Sequence, residues 1–160
     1  MPSINTSITI AASPSAVRRV FLDFAAYPQW NPFITSLKVP DPAAPPGTPI
    51  ELYAWKIFLD RSTVVQNDPG MFAWSGGSCG LANCMPCFQG YHYFRFEPIG
   101  EQVGDGETQQ CNFVQNQDFK GFLSIFSFLY APVMKVGFNK MNKALKVRVE
   151  TLAAGGEHAP

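Results

Sequence analysis

One long helical pattern near the C-terminus constrains the fold more than any other feature of this chain. Apolar residues recur there at three- and four-residue steps, which places them on one stripe of an α-helix: Met134, Phe138, Met141, Leu145, Val149 and Leu152. In the sequence before them, apolar and polar residues alternate over short segments, as in β-strands. A sheet built from those patterns must cover its apolar face, and this helix is the only large element available. The pattern therefore predicts an α+β fold.

The alternating segments predict a curved antiparallel sheet of about six or seven strands. Short connections such as Asp60-Arg61 and Asp68-Pro69-Gly70 favour hairpins, because parallel strands need long crossovers. The predicted strands cover residues 4–11, 35–39, 50–59, 62–67, 71–75, 89–97 and 108–119.

Two short helices are predicted after the first strand. Ser13 is suited to an N-cap and Pro14 to the first helical position, where a missing N–H costs nothing. Apolar residues follow at helical spacing, so this helix buries one face. Residues 27–33 contain two prolines and are predicted to form a second short helical turn or a corner, with Asn31 capping it.

Length and composition fit a single domain. The 160 residues are 46% apolar and 15% charged, which argues against disorder. We expect a domain over residues 1–152 and a flexible tail over 153–160. Twelve basic residues balance twelve acidic ones, so the chain lacks the basic patch that nucleic-acid binding needs. The oligomeric state is left open.

The location expected from the sequence is the cytoplasm. The N-terminus carries no secretion signal, and the apolar stretch 121–138 is broken by Pro132 and Lys135, short of the roughly 20 apolar residues that a membrane span needs. In a reducing compartment the four cysteines are expected to be thiols. Three of them, Cys79, Cys84 and Cys87, form with Cys111 a spacing seen in iron–sulfur and zinc sites.

The cysteine spacing does not lead us to predict a metal. Cys111 falls in a strand whose position the sheet dictates, and the surrounding pattern belongs to another kind of fold. We interpret the other three as small apolar side chains on a loop at a cavity mouth, one of them open to a reactive role. No cofactor is expected.

Several motifs together resemble the START-like, or SRPBCC, superfamily, and more narrowly its polyketide cyclase/dehydrase branch. They occur in family order over nearly the whole chain: Ile8-x-Ile10-Ala11-Ala12-Ser13-Pro14, Phe24-x-x-Tyr27-Pro28-x-Trp30-Asn31-Pro32-Phe33, Gly90-x-His92-x-Phe94-x-Phe96-x-Pro98, Asp118-Phe119-x-Gly121 and Phe138-x-x-Met141-Asn142-x-x-Leu145-Lys146-x-x-Val149-Glu150. The resemblance implies a helix-grip fold, in which the sheet wraps around the C-terminal helix and leaves a deep apolar cavity. It implies less about a reaction, since members include lipid carriers, hormone receptors and cyclases. Many relatives of this branch carry Glu where this chain has Gln117.

His92 is the main candidate for chemistry. On a strand it shares one face with Phe94 and Phe96, and a His there could move a proton on a polyketide-like ligand. The alternative is a structural His with one buried partner. Gln115 and Gln117 share a face with Phe113 and Phe119, where buried amides would need a ligand or His92 as a partner; the alternative is a sheet edge at which solvent reaches both amides.

The leading hypothesis is an enzyme, a cyclase, dehydratase or isomerase that holds a polyketide- or terpenoid-like chain near its reactive geometry. The alternative is a carrier or binding protein for a small hydrophobic molecule, with the same cavity and no chemistry. The predicted catalytic residues are His92 and Gln117. The predicted ligand contacts are Tyr53, Phe94, Phe96, Phe113, Gln115, Phe119, Met134, Phe138 and Met141.

Overall fold

The computed structural model describes residues 2–76, 89–100 and 109–156. The strands are β1 (Ser3–Ile10), β2 (Ile34–Lys38), β3 (Pro49–Ala54), β4 (Phe58–Asp68), β5 (Met71–Gly76), β6 (Gln89–Pro98) and β7 (Cys111–Lys120). The helices are α1 (Pro14–Leu22), α2 (Tyr27–Trp30) and α3 (Ser127–Gly156), with 3₁₀ turns at Phe24–Ala26 and Phe122–Phe126. This order of elements confirms the predicted α+β architecture.

The strands form one antiparallel sheet in the order β1-β7-β6-β5-β4-β3-β2. Each neighbouring pair from β2 to β6 is consecutive in sequence, as expected for hairpins. β1 instead pairs with β7, from Ser3 opposite Asp118 to Ile10 opposite Cys111. The sheet curls around the C-terminal helix, so its concave face is shared between the helices and an open space.

Helix α1 fills one half of that concave face. Ser13 caps it by accepting a hydrogen bond from the Ala16 amide at 3.3 Å, with Pro14 in the first turn. Its buried Phe21 contacts an aromatic cluster on the first 3₁₀ turn, α2 and the sheet: Phe24, Tyr27, Phe72, Phe94, Phe96 and Phe113. The rings lie at edge-on or tilted angles typical of packed aromatic cores.

Helix α3 has a docked part and a raised part. Its docked part begins near Phe138 and buries Phe138, Met141, Leu145 and Val149 almost completely. Three polar side chains of this part bond to β1 and the residue after it: Asn142 to Thr6 Oγ1, Lys146 to the Thr9 carbonyl, and Glu150 to the Ala11 amide. Leu152 was predicted on the buried stripe but is exposed, because the helix has passed the edge of the sheet there.

The raised part of α3 spans its first turns. Pro132 lies inside the helix, which begins at Ser127. The helix therefore starts five residues before the proline that breaks the apolar stretch 121–138. At its far end α3 continues to Gly156, four residues past the predicted domain boundary.

The hairpin between β3 and β4 differs from the prediction. The sequence suggested one strand over 50–59 and a turn at Asp60-Arg61, but β3 ends at Ala54 and Asp60 pairs with Leu52 inside the sheet. The turn lies at Trp55 and Lys56, which both adopt left-handed φ angles of 49° and 66°. Such angles normally favour Gly or Asn, so no residue signalled this turn.

Hydrogen bonds from three consecutive amides hold this unusual turn. The Trp55 amide donates to the Phe33 carbonyl at 2.8 Å, and the Ile57 amide donates to the Ala54 carbonyl at 3.1 Å. The Lys56 amide donates to Thr35 Oγ1 at 3.0 Å, and Thr35 lies at the register shift of β2. Neighbouring β2 thus stabilises a backbone conformation that costs roughly 1–2 kcal/mol per non-glycine residue.

Across the described parts of the chain, no helix is long and apolar enough to cross a membrane.

Candidate functional site

A cavity of about 710 Å³ lies between the concave face of the sheet and the raised part of α3. It is partly open to solvent. Its wall is mostly apolar and aromatic: Phe33, Ile34, Leu52, Ala54, Trp55, Phe58, Trp74, Phe119, Phe126, Leu129, Val133 and Met134, with the polar or small residues Asp60, Ser62, Gly76, Gly90, His92, Gln117 and Tyr130. This volume and lining are typical of a small-molecule site.

The cavity exists because the two parts of α3 sit differently on the sheet. At Gly137, where the docked part begins, a Cβ would overlap the ring of Phe33, so the helix touches the corner after α2 at this point. Phe138 then packs edge-on against Phe33, with ring centroids 5.5 Å apart. Before this contact the helix stands away from the strands, and residues such as Leu129 and Val133 face the gap.

His92 is held deep in the wall as a neutral group. Its ring stacks on Phe94 and Phe138, with centroids 4.4 Å and 4.8 Å away, and meets Trp74 edge-on at 4.9 Å. Burial among these rings lowers the pKa of His92 to about 3, because the charged form would lose its hydration. At neutral pH the imidazole is uncharged and a weak base.

Gln115 is the buried partner of His92. Its Nε2 lies 3.0 Å from His92 Nε2 and 3.7 Å from the sulfur of Met141. With the amide as donor, His92 Nε2 accepts and the ring proton sits on Nδ1. The sequence suggested a ligand or His92 as the partner of the buried amides; His92 pairs with Gln115 Nε2, whereas Gln115 Oε1 is buried without a partner among the described residues.

Gln117 is the second amide on this face, directly opposite His92 in the β6–β7 register. It lines the cavity, and its Oε1 is buried with no hydrogen-bond partner among the described residues. Its Nε2 lies over Gly90, where a Cβ would come within 2.8 Å. The glycine thus makes room for the amide. Leaving the buried amide oxygen without a hydrogen bond would cost about 1–3 kcal/mol of folding free energy.

A polar strip continues from Gln117 towards the mouth. Ser62, Gly76 and Gly90 are adjacent in the register of β4, β5 and β6, and a Cβ on Gly76 would overlap the Ser62 hydroxyl. The Ser62 hydroxyl donates to Asp60 Oδ2 at 2.9 Å. Asp60 is exposed at the mouth, and no basic side chain of the described residues forms an ion pair with it.

Tyr130 faces this strip from the raised part of α3. Its ring packs edge-on against Phe119 with centroids 5.5 Å apart. Burial raises the pKa of Tyr130 to about 12, so its hydroxyl is neutral. The titratable side chains in the described wall are Asp60, His92 and Tyr130, and the two buried groups among them, the His92 imidazole and the Tyr130 hydroxyl, are neutral at neutral pH.

Four of the sequence-predicted site residues line the cavity: His92, Gln117, Phe119 and Met134. Seven do not: Tyr53, Phe94, Phe96, Phe113, Gln115, Phe138 and Met141. Tyr53 lies between Leu52 and Ala54 on β3 and therefore points to the opposite face. The other six are on the correct face but belong to the packed core.

Their core position has two physical causes. Phe21 of α1 covers Phe94, Phe96 and Phe113, so a ligand cannot reach them. Gln115, Phe138 and Met141 lie where α3 is docked. Gln115 contacts both Met141 and His92, and His92 stacks on Phe138. Periodicity identified the inward face but not which half of it a helix would cover.

Sequence reasoning missed Asp60, Trp74 and Tyr130 as wall residues. Asp60 was assigned to a turn because the hairpin was misplaced. Its spacing of two residues from Phe58 and from Ser62, which puts all three on one strand face, was the available signal. Tyr130 falls within the apolar stretch 121–138, before the helical stripe that begins at Met134. Cys79, Cys84 and Cys87 lie outside the described residues, and Cys111 is buried in β7 opposite Ile10.

Comparison with known proteins agrees with this architecture. The profile of a family described as polyketide cyclase/dehydrase and lipid transport matches residues 1–154. No curated protein matches the chain significantly.

Solved structures with the same fold come from varied sources. A START superfamily protein from Mycobacterium smegmatis is 18% identical, with a TM-score of 0.64 and coverage of 94% of this chain and 98% of the other. A norcoclaurine synthase point mutant from Thalictrum, in complex with a transition state analogue, is 12% identical, with a TM-score of 0.65 and coverage of 95% and 96%. The di-domain aromatase/cyclase BexL is 14% identical, with a TM-score of 0.64 and coverage of 94% of this chain and 47% of BexL. At these identities the likeness shows the fold.

Proposed function

This chain belongs to the polyketide cyclase/dehydrase and lipid transport family, and from that premise we propose that it is a binding protein that carries a neutral, mainly apolar small molecule. The family and the apolar cavity support a role in binding a hydrophobic ligand. The step from binding to carrying is our inference. It depends on the chemistry of the wall.

The observation that carries the proposal is the charge state of that wall. Moving a proton at neutral pH calls for a group whose pKa lies near 7. His92, with a pKa of about 3, and Tyr130, with a pKa of about 12, are both far from that value. Neither of these two buried groups is poised as a general acid or base, so the buried part of the cavity is better suited to holding a molecule than to transforming it.

The polar strip gives the ligand an orientation. A hydroxyl or amide on the ligand would donate to the unpaired Gln117 Oε1. An apolar body would lie against Trp74 and Phe119, while a further hydrogen-bond donor of the ligand would lie at the mouth near Asp60. The proposed ligand is therefore an amphiphile with a large apolar portion and few polar groups.

A binding experiment tests this proposal with the neutral fluorescent probe N-phenyl-1-naphthylamine. We expect the wild type to bind the probe and Ala54→Phe, which places a large side chain in the wall, to bind it at least about tenfold more weakly. Tyr53→Phe is the matched control on the same strand, because its hydroxyl faces away from the cavity. Equal affinity of the wild type and A54F, or no binding by the wild type, would refute the proposed site.

A cyclase is the second candidate, because His92 and Gln117 face each other across β6 and β7 at the cavity wall. In that case the protein would act by holding a reactive chain in a folded shape, and His92 would need its pKa raised by the bound substrate. Turnover of a poly-β-ketone substrate that is lost in His92→Phe while probe affinity is retained would establish the enzyme and overturn the carrier. Native mass spectrometry of protein purified from its own host would identify a retained ligand.

A further inference from the structure

The mouth of the cavity is bordered by large apolar side chains that face solvent. We call the following set the apolar rim: Ile57 and Phe58 on the β3–β4 hairpin, and Ile125, Phe126, Phe128, Leu129 and Val133 on the opposite side, before and within α3. Ile57 is 72% exposed and Phe128 is 65% exposed. Phe58, Phe126, Leu129 and Val133 also line the cavity, so the apolar surface is continuous from outside to inside.

This concentration of exposed apolar side chains needs an explanation. Single exposed apolar residues are normal, but contiguous apolar patches mark interaction sites. Most of the exposed large apolar side chains in the described structure lie in two short segments, 57–59 and 125–136. The two segments are far apart in sequence, and both contribute residues to the wall of the same cavity. The hairpin tip is also held out by the hydrogen-bonded turn at Trp55 and Lys56.

Charge distribution indicates what covers the rim. Segments 55–59 and 124–136 contain Lys56 and Lys135 but no Asp or Glu. Both lysines are exposed, beside apolar side chains. Long basic side chains bordering an apolar patch, with a Trp at its edge, suit the interface of an anionic bilayer, where the apolar groups insert and the ammonium groups stay with the head groups. Asp60, two residues after Phe58, is also exposed at the mouth, so the two segments together with Asp60 carry two basic residues and one acidic residue.

A second copy of the chain fits this surface less well. A two-fold dimer through the rim would bring two copies of Lys56 and of Lys135 into one apolar interface, and the two copies of Asp60 could pair at most two of these four lysines. A lipid surface of negative charge has no such conflict.

We propose that the apolar rim docks onto the surface of an anionic lipid bilayer, with the cavity mouth facing the membrane. The proposal rests on the proposed function, since a poorly water-soluble ligand would be taken from and delivered to that phase. Docking is peripheral: the rim inserts to the depth of the head groups and the raised part of α3 lies along the surface. A ligand could then pass into the cavity without crossing water.

Co-sedimentation with vesicles tests the docking. The vesicles are phosphatidylcholine alone or an equimolar mixture with phosphatidylglycerol. We expect the wild type to bind the anionic vesicles and the double variant Ile57→Ser/Phe128→Ser to bind about tenfold or more weakly, because it removes two exposed anchors. The matched control is Val147→Ser, which removes a 64% exposed apolar side chain on the docked part of α3. It should bind like the wild type.

Charge and cavity are tested separately. Lys56→Glu/Lys135→Glu should weaken binding to anionic vesicles and leave binding to neutral vesicles unchanged. Neither Ile57 nor Phe128 lines the cavity, so I57S/F128S should bind N-phenyl-1-naphthylamine in solution as the wild type does. If the wild type binds the probe but does not sediment with either kind of vesicle, the docking would be overturned and the proposed function preserved.

Two further results would also overturn the docking. One is equal vesicle binding by the wild type and I57S/F128S. The other is a wild-type dimer in analytical ultracentrifugation that becomes a monomer in I57S/F128S, which would assign the rim to a second copy of the chain. Every variant changes only exposed side chains, so unchanged thermal unfolding will show that the fold is intact.

Discussion

Stability should fall as the pH is lowered from 7 to 5 because of one buried imidazole. His92 has a pKa of about 3 in the folded protein, lowered from an ordinary value of 6.5 by burial. Between these two values the unfolded chain binds a proton that the folded chain does not bind. The free energy of unfolding therefore rises with pH across this window, and the full contribution of the neutral His92 is present only above about pH 6.5.

The size of the effect follows from the same pKa values. Each pH unit below the unfolded value costs about 1.4 kcal/mol for one proton, so His92 should lower the free energy of unfolding by about 2 kcal/mol at pH 5. That is a large part of the 5–15 kcal/mol that holds a typical domain together.

Urea unfolding at pH 7, 6 and 5, at constant ionic strength, measures this dependence. The control is His92→Phe, which keeps a ring between Phe94 and Phe138 but cannot take up a proton. Carboxylates such as Asp68 and Glu150, whose pKa values are lowered by hydrogen bonds, contribute equally to both proteins and cancel in the comparison. Identical pH slopes in the wild type and H92F would refute the assignment of a neutral, solvent-excluded imidazole.

Two further predictions concern the backbone. Gly137→Ala should destabilise the protein by about 2 kcal/mol, because its Cβ would overlap Phe33, while Gly155→Ala in open space on the same helix should stabilise it by about 0.5 kcal/mol; thermal unfolding measures both, and equal shifts would contradict the close contact. Lys56→Gly should be about 1 kcal/mol more stable than Lys56→Ala, since only glycine relieves the left-handed φ of 66°. Equal stability of the two Lys56 variants in urea would show that the turn is not strained.

Much of the fold could be predicted from local patterns. The helical stripe through Phe138, Met141, Leu145 and Val149 identified the element that packs on the sheet, and alternation placed His92 on the concave face. These assignments succeeded because burial on one face imposes a period on the sequence. The hairpin at Trp55 and Lys56 could not be found in this way, since hydrogen bonds from β2, rather than turn-forming residues, hold it.

The site was only half predictable for a related reason. His92 and Phe94 share a strand face and an aromatic neighbourhood, yet His92 lines the cavity and Phe94 is covered by Phe21. The boundary between cavity and core depends on where α1 and α3 rest on the sheet. That is a property of three-dimensional packing, and the alternation of residues along a single strand carries no information about it.

The pairing of β1 with β7 has a consequence for how the chain is made. Thr6 Oγ1 donates to the Gln115 carbonyl, a contact across 109 residues, so β1 leaves the ribosome well before its partner and waits until β7 has been synthesised. The consecutive hairpins from β2 to β6 can form meanwhile. Contacts at such long range slow folding, and we expect the nascent chain to hold an unpaired β1 edge, open to chaperones, until β7 arrives and joins it to the sheet.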